Sequence, residues 1–104
     1  MIKLIIQLNG VDPKNGEDIC LSKFESSSYN DLLLWHRINT ALKEGAAKVG
    51  GSLDCLRPWH VVLTVGITAD EEDGFRPAFH LEPEVITKLN AAGASLDFDP
   101  YVYS

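Results

Sequence analysis

No stretch of this chain approaches the ~18 uncharged apolar residues of a membrane-spanning helix, so no span is expected. The run 1–10, MIKLIIQLNG, is apolar but short, and no small-residue cleavage site follows it. It reads as a first strand and not a secretory signal, which makes the cytoplasm the expected compartment. Basic residues are scarce, with 9 Lys and Arg against 15 Asp and Glu, for a net charge of -6. Phosphate contacts need a basic surface, so no nucleic-acid partner is expected. Anionic membrane surfaces are disfavoured for the same reason. An acidic surface does attract a basic protein, although mild acidity also serves solubility alone.

Cysteine is limited to Cys20 and Cys55, 35 positions apart and in no metal-ligand spacing. They read as two reduced, partly buried thiols, with a disulfide as the alternative. Serine-nucleophile motifs, glycine-rich phosphate loops and Cys-x-x-Cys pairs are all missing. No cofactor is therefore expected, and no internal repeat or low-complexity segment breaks the chain. What remains is 104 residues with 45% apolar content, enough for a single core and one domain over 1–104.

Residues 2–8 alternate Ile2, Leu4, Ile6 and Leu8 against Lys3, Ile5 and Gln7, a strand pattern. Asn9-Gly10 and Asn15-Gly16 mark a turn region, and 19–24 forms a short second strand pairing back on the first. Ser26-Ser27-Ser28 offers N-cap oxygens, with Asp31 in a capping-box position. Leu32, Trp35, Ile38, Leu42, Ala46 and Val49 follow at helical spacing, which predicts a helix over about 29–49 ended by Gly50-Gly51. Leu32 to Trp35 is apolar all round, so that helix start also reads as a strand.

Residues 52–57 are a connector or the start of the next strand. Trp59, Val61, Leu63, Val65 and Ile67 alternate with His60, Val62, Thr64 and Gly66 along a central strand with two apolar faces. Residues 70–74 read as a solvated hairpin loop. Residues 75–81 read as a strand that Pro77 places at or near an edge. Pro83, with Glu82 and Glu84 beside it, starts a second helix whose Val85, Ile86 and Leu89 face the core and which Gly93 closes. A last strand turns Leu96 and Phe98 inward and Asp97 and Asp99 outward before Pro100 interrupts its ladder. The expectation is a two-layer α+β fold of order β-β-α-β-β-α-β. It has a mainly antiparallel sheet of about five strands with two helices on one face.

From Trp59 to Tyr103 the chain resembles a bacterial family known only as domain of unknown function 4279. The residues that carry the likeness are Val61-Val62-Leu63-Thr64-Val65 and Arg76-Pro77-Ala78-Phe79-His80-Leu81 running into Glu82-Pro83-Glu84. The ending from Leu89 through Gly93 to Leu96-Asp97-Phe98-Asp99-Pro100-Tyr101 is also similar to it. The likeness covers under half of the chain, and in 1–57 only Leu34-Trp35 answers the family's Trp-bearing strand. It implies a fold close to the one above and transfers no catalytic residue.

The candidate chemistry is sparse. His36, His60 and His80 fit no zinc spacing; His60 and His80 would meet only if they lie on adjacent strands, where they would suit a weak metal or a general base. Asp97 and Asp99 share one strand face about 7 Å apart, which suits acid–base work, a cation, or an outward polar stripe on an edge strand. Tyr101 and Tyr103 continue that face, and tyrosines beside carboxylates make protein-recognition surface. Asp70, Glu71, Glu72 and Asp73 form the densest charge run, either a solvated loop or a contact patch for a basic partner.

Together these point to a non-enzymatic, acidic, bacterial or phage protein that binds a protein with a basic surface, in the manner of an immunity protein or an inhibitor. Its partner-binding set is Asp70, Glu71, Glu72, Asp73, Asp97, Asp99, Tyr101 and Tyr103. The alternative is a small enzyme or a metal- or ligand-binding domain using His60, His80 and nearby carboxylates. A third option is a homodimer paired through the Pro77 strand or the last strand.

Overall fold

The computed structural model describes residues 2–28, 30–70 and 80–103, and of 31, 70 and 101–103 only the backbone. Strand β1 (Lys3–Val11) buries every second residue, and Leu4, Ile6 and Leu8 are fully buried. This is the period-2 pattern of a sheet with one face on a core. The strand runs on through Asn9 and Gly10, which are not a turn. A Cβ on Gly10 would lie 3.2 Å from both Leu21 and Val61. The turn comes later, where Asp12 Oδ1 accepts from the Lys14 amide and Asn15 Oδ1 from the Glu17 amide.

Strand β2 (Asp18–Ser26) pairs antiparallel with β1 and is longer than its apolar stretch suggests. Ser22 lies opposite Leu8 and Cys20 opposite Asn9, so Leu21 is the extra residue of a bulge, and it is buried.

Helix α1 (Asp31–Val49) settles the ambiguous Leu32 to Trp35 stretch as helix. Its N-cap is Asn30, whose Oδ1 accepts from the Leu33 amide at 2.8 Å, and not the serine run. Ser26 and Ser28 are occupied with each other: Ser26 Oγ accepts from the Ser28 amide at 3.1 Å. Ile38, Leu42 and Ala46 face the core as their spacing requires, joined by Leu34 and Ala41, while Leu32 is 74% exposed. Leu34 takes the place expected of Leu32 because the stripe drifts with the 3.6-residue turn. At the far end Gly50 caps the helix at φ 151°, donating its amide to the Ala46 carbonyl.

Residues 53–59 form a 3-10 segment (Leu53–Trp59) and not the start of a strand. Leu56 is its buried anchor. Trp59 only packs partly against the core, and His60 follows in a left-handed conformation at φ 46°. Strand β3 (Val62–Asp70) is antiparallel to β1. Val61, Leu63, Val65 and Ile67 are buried as expected. Helix α2 (Pro83–Ala91) starts at Pro83 and buries Val85 and Leu89, but Ile86 is 53% exposed. Ala94 then donates its amide to the Leu89 carbonyl just past Gly93. Arg57 holds this helix end to the 3-10 segment, its Nε donating to the Ala91 carbonyl at 3.1 Å and its Nη2 to the Asn90 carbonyl at 2.7 Å.

Strand β4 (Ser95–Tyr103) runs parallel to β3, with Phe98 opposite Val65 and Asp99 opposite Gly66. The described sheet is therefore four-stranded and mixed, in the order β2-β1-β3-β4, where a mainly antiparallel sheet of five strands was expected. A parallel pair cannot close through a hairpin, so the connection needs the α2 crossover. Pro100 does not break the ladder. β4 is the edge strand of the described sheet, a position where proline is tolerated, and its ladder with β3 runs on through Pro100. Of the strand expected over 75–81, residues 75–79 lie outside the described residues, Pro77 among them. His80 and Leu81 belong to no strand.

All described helical elements share one buried cluster with Leu4, Ile6, Leu8, Leu63, Val65 and Ile67. The fold is α+β, with one sheet and its helices on a single face. Gly50 and Gly51 both have positive φ, but a Cβ on Gly50 would also sit 2.5 Å from Cys55 Sγ, whereas Gly51 faces open space. Gly50→Ala is expected to lower unfolding free energy in urea by about 2–3 kcal/mol, clearly more than Gly51→Ala does. Equal losses would mean the Cys55 contact is not tight.

Candidate functional site

Strand register assigns the uncovered sheet face. Lys23, Gln7, Thr64 and Asp97 lie in one row across the four strands. Glu25, Ile5, Gly66 and Asp99 form the next, and Lys3, Thr68 and Tyr101 the one after. These positions alternate with the buried ones, and among the described residues no helix packs on them.

The charge on this face is graded. At the β1–β2 side Glu25 is paired with both Lys3 (3.6 Å) and Lys23 (3.4 Å), so one anion is shared by two cations and a single positive charge is left over. At the β4 edge Asp97 is exposed and Asp99 half-buried, and neither has a cationic partner among the described residues. Between the two sides lies Gly66. A Cβ there would meet only Ile5 Cβ at 3.9 Å and the Asp99 carbonyl at 4.0 Å, ordinary contacts. The missing side chain leaves a shallow trough walled by Ile5 and β4, with Thr64 and Thr68 at its ends.

Asp97 and Asp99 thus share a face, as expected from their spacing. Tyr101 and Tyr103 hold the same register face because the pleat continues through Pro100. Asp70 ends β3 opposite Tyr103, while Glu71, Glu72 and Asp73 lie outside the described residues. Ile5, Thr64, Gly66 and Thr68 complete the face and were not singled out in the sequence. Their alternation with Leu63, Val65 and Ile67 was the available signal, but the parallel direction of β4 decides who stands beside whom.

The histidine pair does not form. His60 caps the 3-10 segment, and His80 lies against α1 instead. Trp35 donates its indole N–H to the His80 carbonyl at 2.6 Å, and the two rings meet edge to face with centroids 6.0 Å apart. His36 is exposed on α1. Among the described residues no group of three or more His, Cys, Asp or Glu is placed to hold a metal ion. No described helix is long and apolar enough to cross a membrane.

Both cysteines are free, and Cys20 is exposed where a partly buried thiol was expected. The Ser52 hydroxyl lies 3.3 Å from Cys55 Sγ, and this hydrogen bond holds the Cys55 thiol below its ordinary range. The Ser52 backbone adds to the shift, while burial and Asp54 oppose it. The bond favours the thiolate, so its removal must raise the pKa. In Ser52→Ala the pH midpoint of Cys55 alkylation by iodoacetamide is expected to move upward, as read by mass spectrometry of the labelled peptide. An unchanged midpoint would assign the shift elsewhere.

Comparison with family models, with curated proteins and with solved structures gave no match for this chain.

Proposed function

We propose that the protein is a non-enzymatic binding protein that docks a protein partner with a basic surface on its open sheet face and β4 edge. The observation that carries this reading is the pair Asp97 and Asp99, set beside the Gly66 trough with no cationic partner and no covering element among the described residues. Tyr101 and Tyr103 extend the same register row. Carboxylates at the rim steer a cationic partner and fix its orientation. The trough accepts a side chain, and aromatic rings supply contact area. Asp70 and the acidic residues Glu71, Glu72 and Asp73 follow β3 in the chain and add negative charge to the same reading. The role we infer from this surface is that of a protein that occupies a toxin or an enzyme complex, as an immunity protein or inhibitor does. The likeness of 59–103 to domain of unknown function 4279 adds no residue role to it.

Two variants separate binding from folding. A Cβ at Gly66 meets only ordinary contacts, so Gly66→Val narrows the trough, and a β-branched residue suits a strand interior. Asp97→Lys with Asp99→Lys reverses the exposed edge charge. Partner capture from the native host, followed by titration of the purified pair, is expected to show affinity reduced at least about tenfold by either change. It is also expected to show wild-type affinity that falls with added salt. A partner bound equally by all three proteins, or turnover of a small molecule by the purified chain, would overturn the reading.

A further inference from the structure

The helical side of the molecule carries a cleft that the sheet-face reading does not use. It lies between α1, the turn after it and α2, with a volume of about 430 Å³, within the roughly 300–1,000 Å³ of small-molecule sites. Leu42, Ala46 and Leu53 supply apolar lining, and His36, Asn39, Thr40, Lys43 and Lys88 supply polar lining. The α1 members recur at the three- and four-residue spacing of one helix face.

Two observations define what would fit. The first is charge. In a chain with 15 acidic and 9 basic residues, the lining holds two lysines and no carboxylate. Lys43 has no acidic partner among the described residues. Lys88 has only Glu84, one turn back at 3.5 Å, an exposed pair of the weak i,i+4 kind. The second is the rest of the lining: Asn39 and Thr40 set polar groups beside the lysines, next to the apolar Leu42, Ala46 and Leu53. A few polar groups converging on an apolar lining fix a ligand's orientation.

We propose that this cleft binds a small organic carboxylate with a compact apolar body. The carboxylate sits between Lys43 and Lys88, and the apolar body covers Leu42, Ala46 and Leu53. This site is independent of the sheet face and stands or falls without it.

Indole-3-propionate is a suitable probe, because it joins an acid to a compact apolar ring. Tryptamine carries the same ring with a cation. Titration of the ¹⁵N-labelled full chain with indole-3-propionate is expected to give saturable amide shifts confined to α1 from His36 to Ala46, Gly51, Leu53 and Lys88. Tryptamine is expected to give none. Replacing both surface lysines (Lys43→Gln and Lys88→Gln), which leaves the core untouched, is expected to weaken the probe at least about tenfold. Gly66→Val on the opposite face is expected to leave its binding unchanged. The proposal is overturned by no saturable shift up to about 10 mM probe, by an equal response to tryptamine, by shifts elsewhere, or by unchanged affinity in the lysine variant.

Discussion

Leu8 lies fully buried beneath α1 at the point where that helix has no side chain. A Cβ on Gly45 would come within 2.6 Å of Leu8 Cδ2, the free end of that side chain, so the glycine lets Leu8 pack directly against the helix. That close approach carries Leu34, Ile38, Leu42 and Ala46 into one cluster with the inward residues of β1 and β3. It also brings Lys48 near enough to donate to the Leu21 carbonyl on β2 at 2.6 Å. Each fully buried Leu, Ile or Val contributes about 1.5–3 kcal/mol, against about 0–1 kcal/mol for an exposed ion pair. The pairs that Glu25 makes with Lys3 and Lys23 therefore shape a surface, and the one-sided core holds the fold.

One-sided burial divides the labour. Because α1, the 3-10 segment and α2 all serve the same sheet face, no described element covers the alternating polar residues of the opposite face. The parallel β3–β4 pair is the second half of this arrangement. It requires a crossover, and α2 supplies it beside α1, with Arg57 pinning its C-terminal end. The crossover sets β4 at the edge of the described sheet, where its carboxylates stand beside the glycine trough, and it also creates the basic cleft between the two α-helices. The acidic sheet edge and the basic cleft lie on opposite sides of the same scaffold.

Much of this was legible in the residues. Alternation in β1 and β3 predicted their buried sides, Pro83 marked the start of α2, and Gly50 marked the end of α1. Four things were not legible, each for a physical reason. Ser26, Ser27 and Ser28 look like a cap, but β2 runs on to Ser26, and Asn30 takes the role. Trp59 and His60 match the strand alternation, yet Pro58 and the left-handed His60 close a 3-10 turn there. The direction of β4 is a tertiary property. Its own alternation is the same parallel or antiparallel, so Asp97 and Asp99 could be assigned a face without their neighbours Thr64 and Gly66. The cleft depends on where Lys88 falls relative to Lys43, a contact between elements 45 positions apart that no local pattern announces.

The central claim is that β4 pairs parallel with β3 and so turns its acidic row to the uncovered face. Nuclear Overhauser contacts between the two strands in the labelled protein test it directly. The account predicts a parallel pattern that sets Asp97 beside Thr64 and Asp99 beside Gly66, with Phe98 in contact with the core under α2. An antiparallel pattern, or Asp97 and Asp99 in contact with helix side chains, would contradict it.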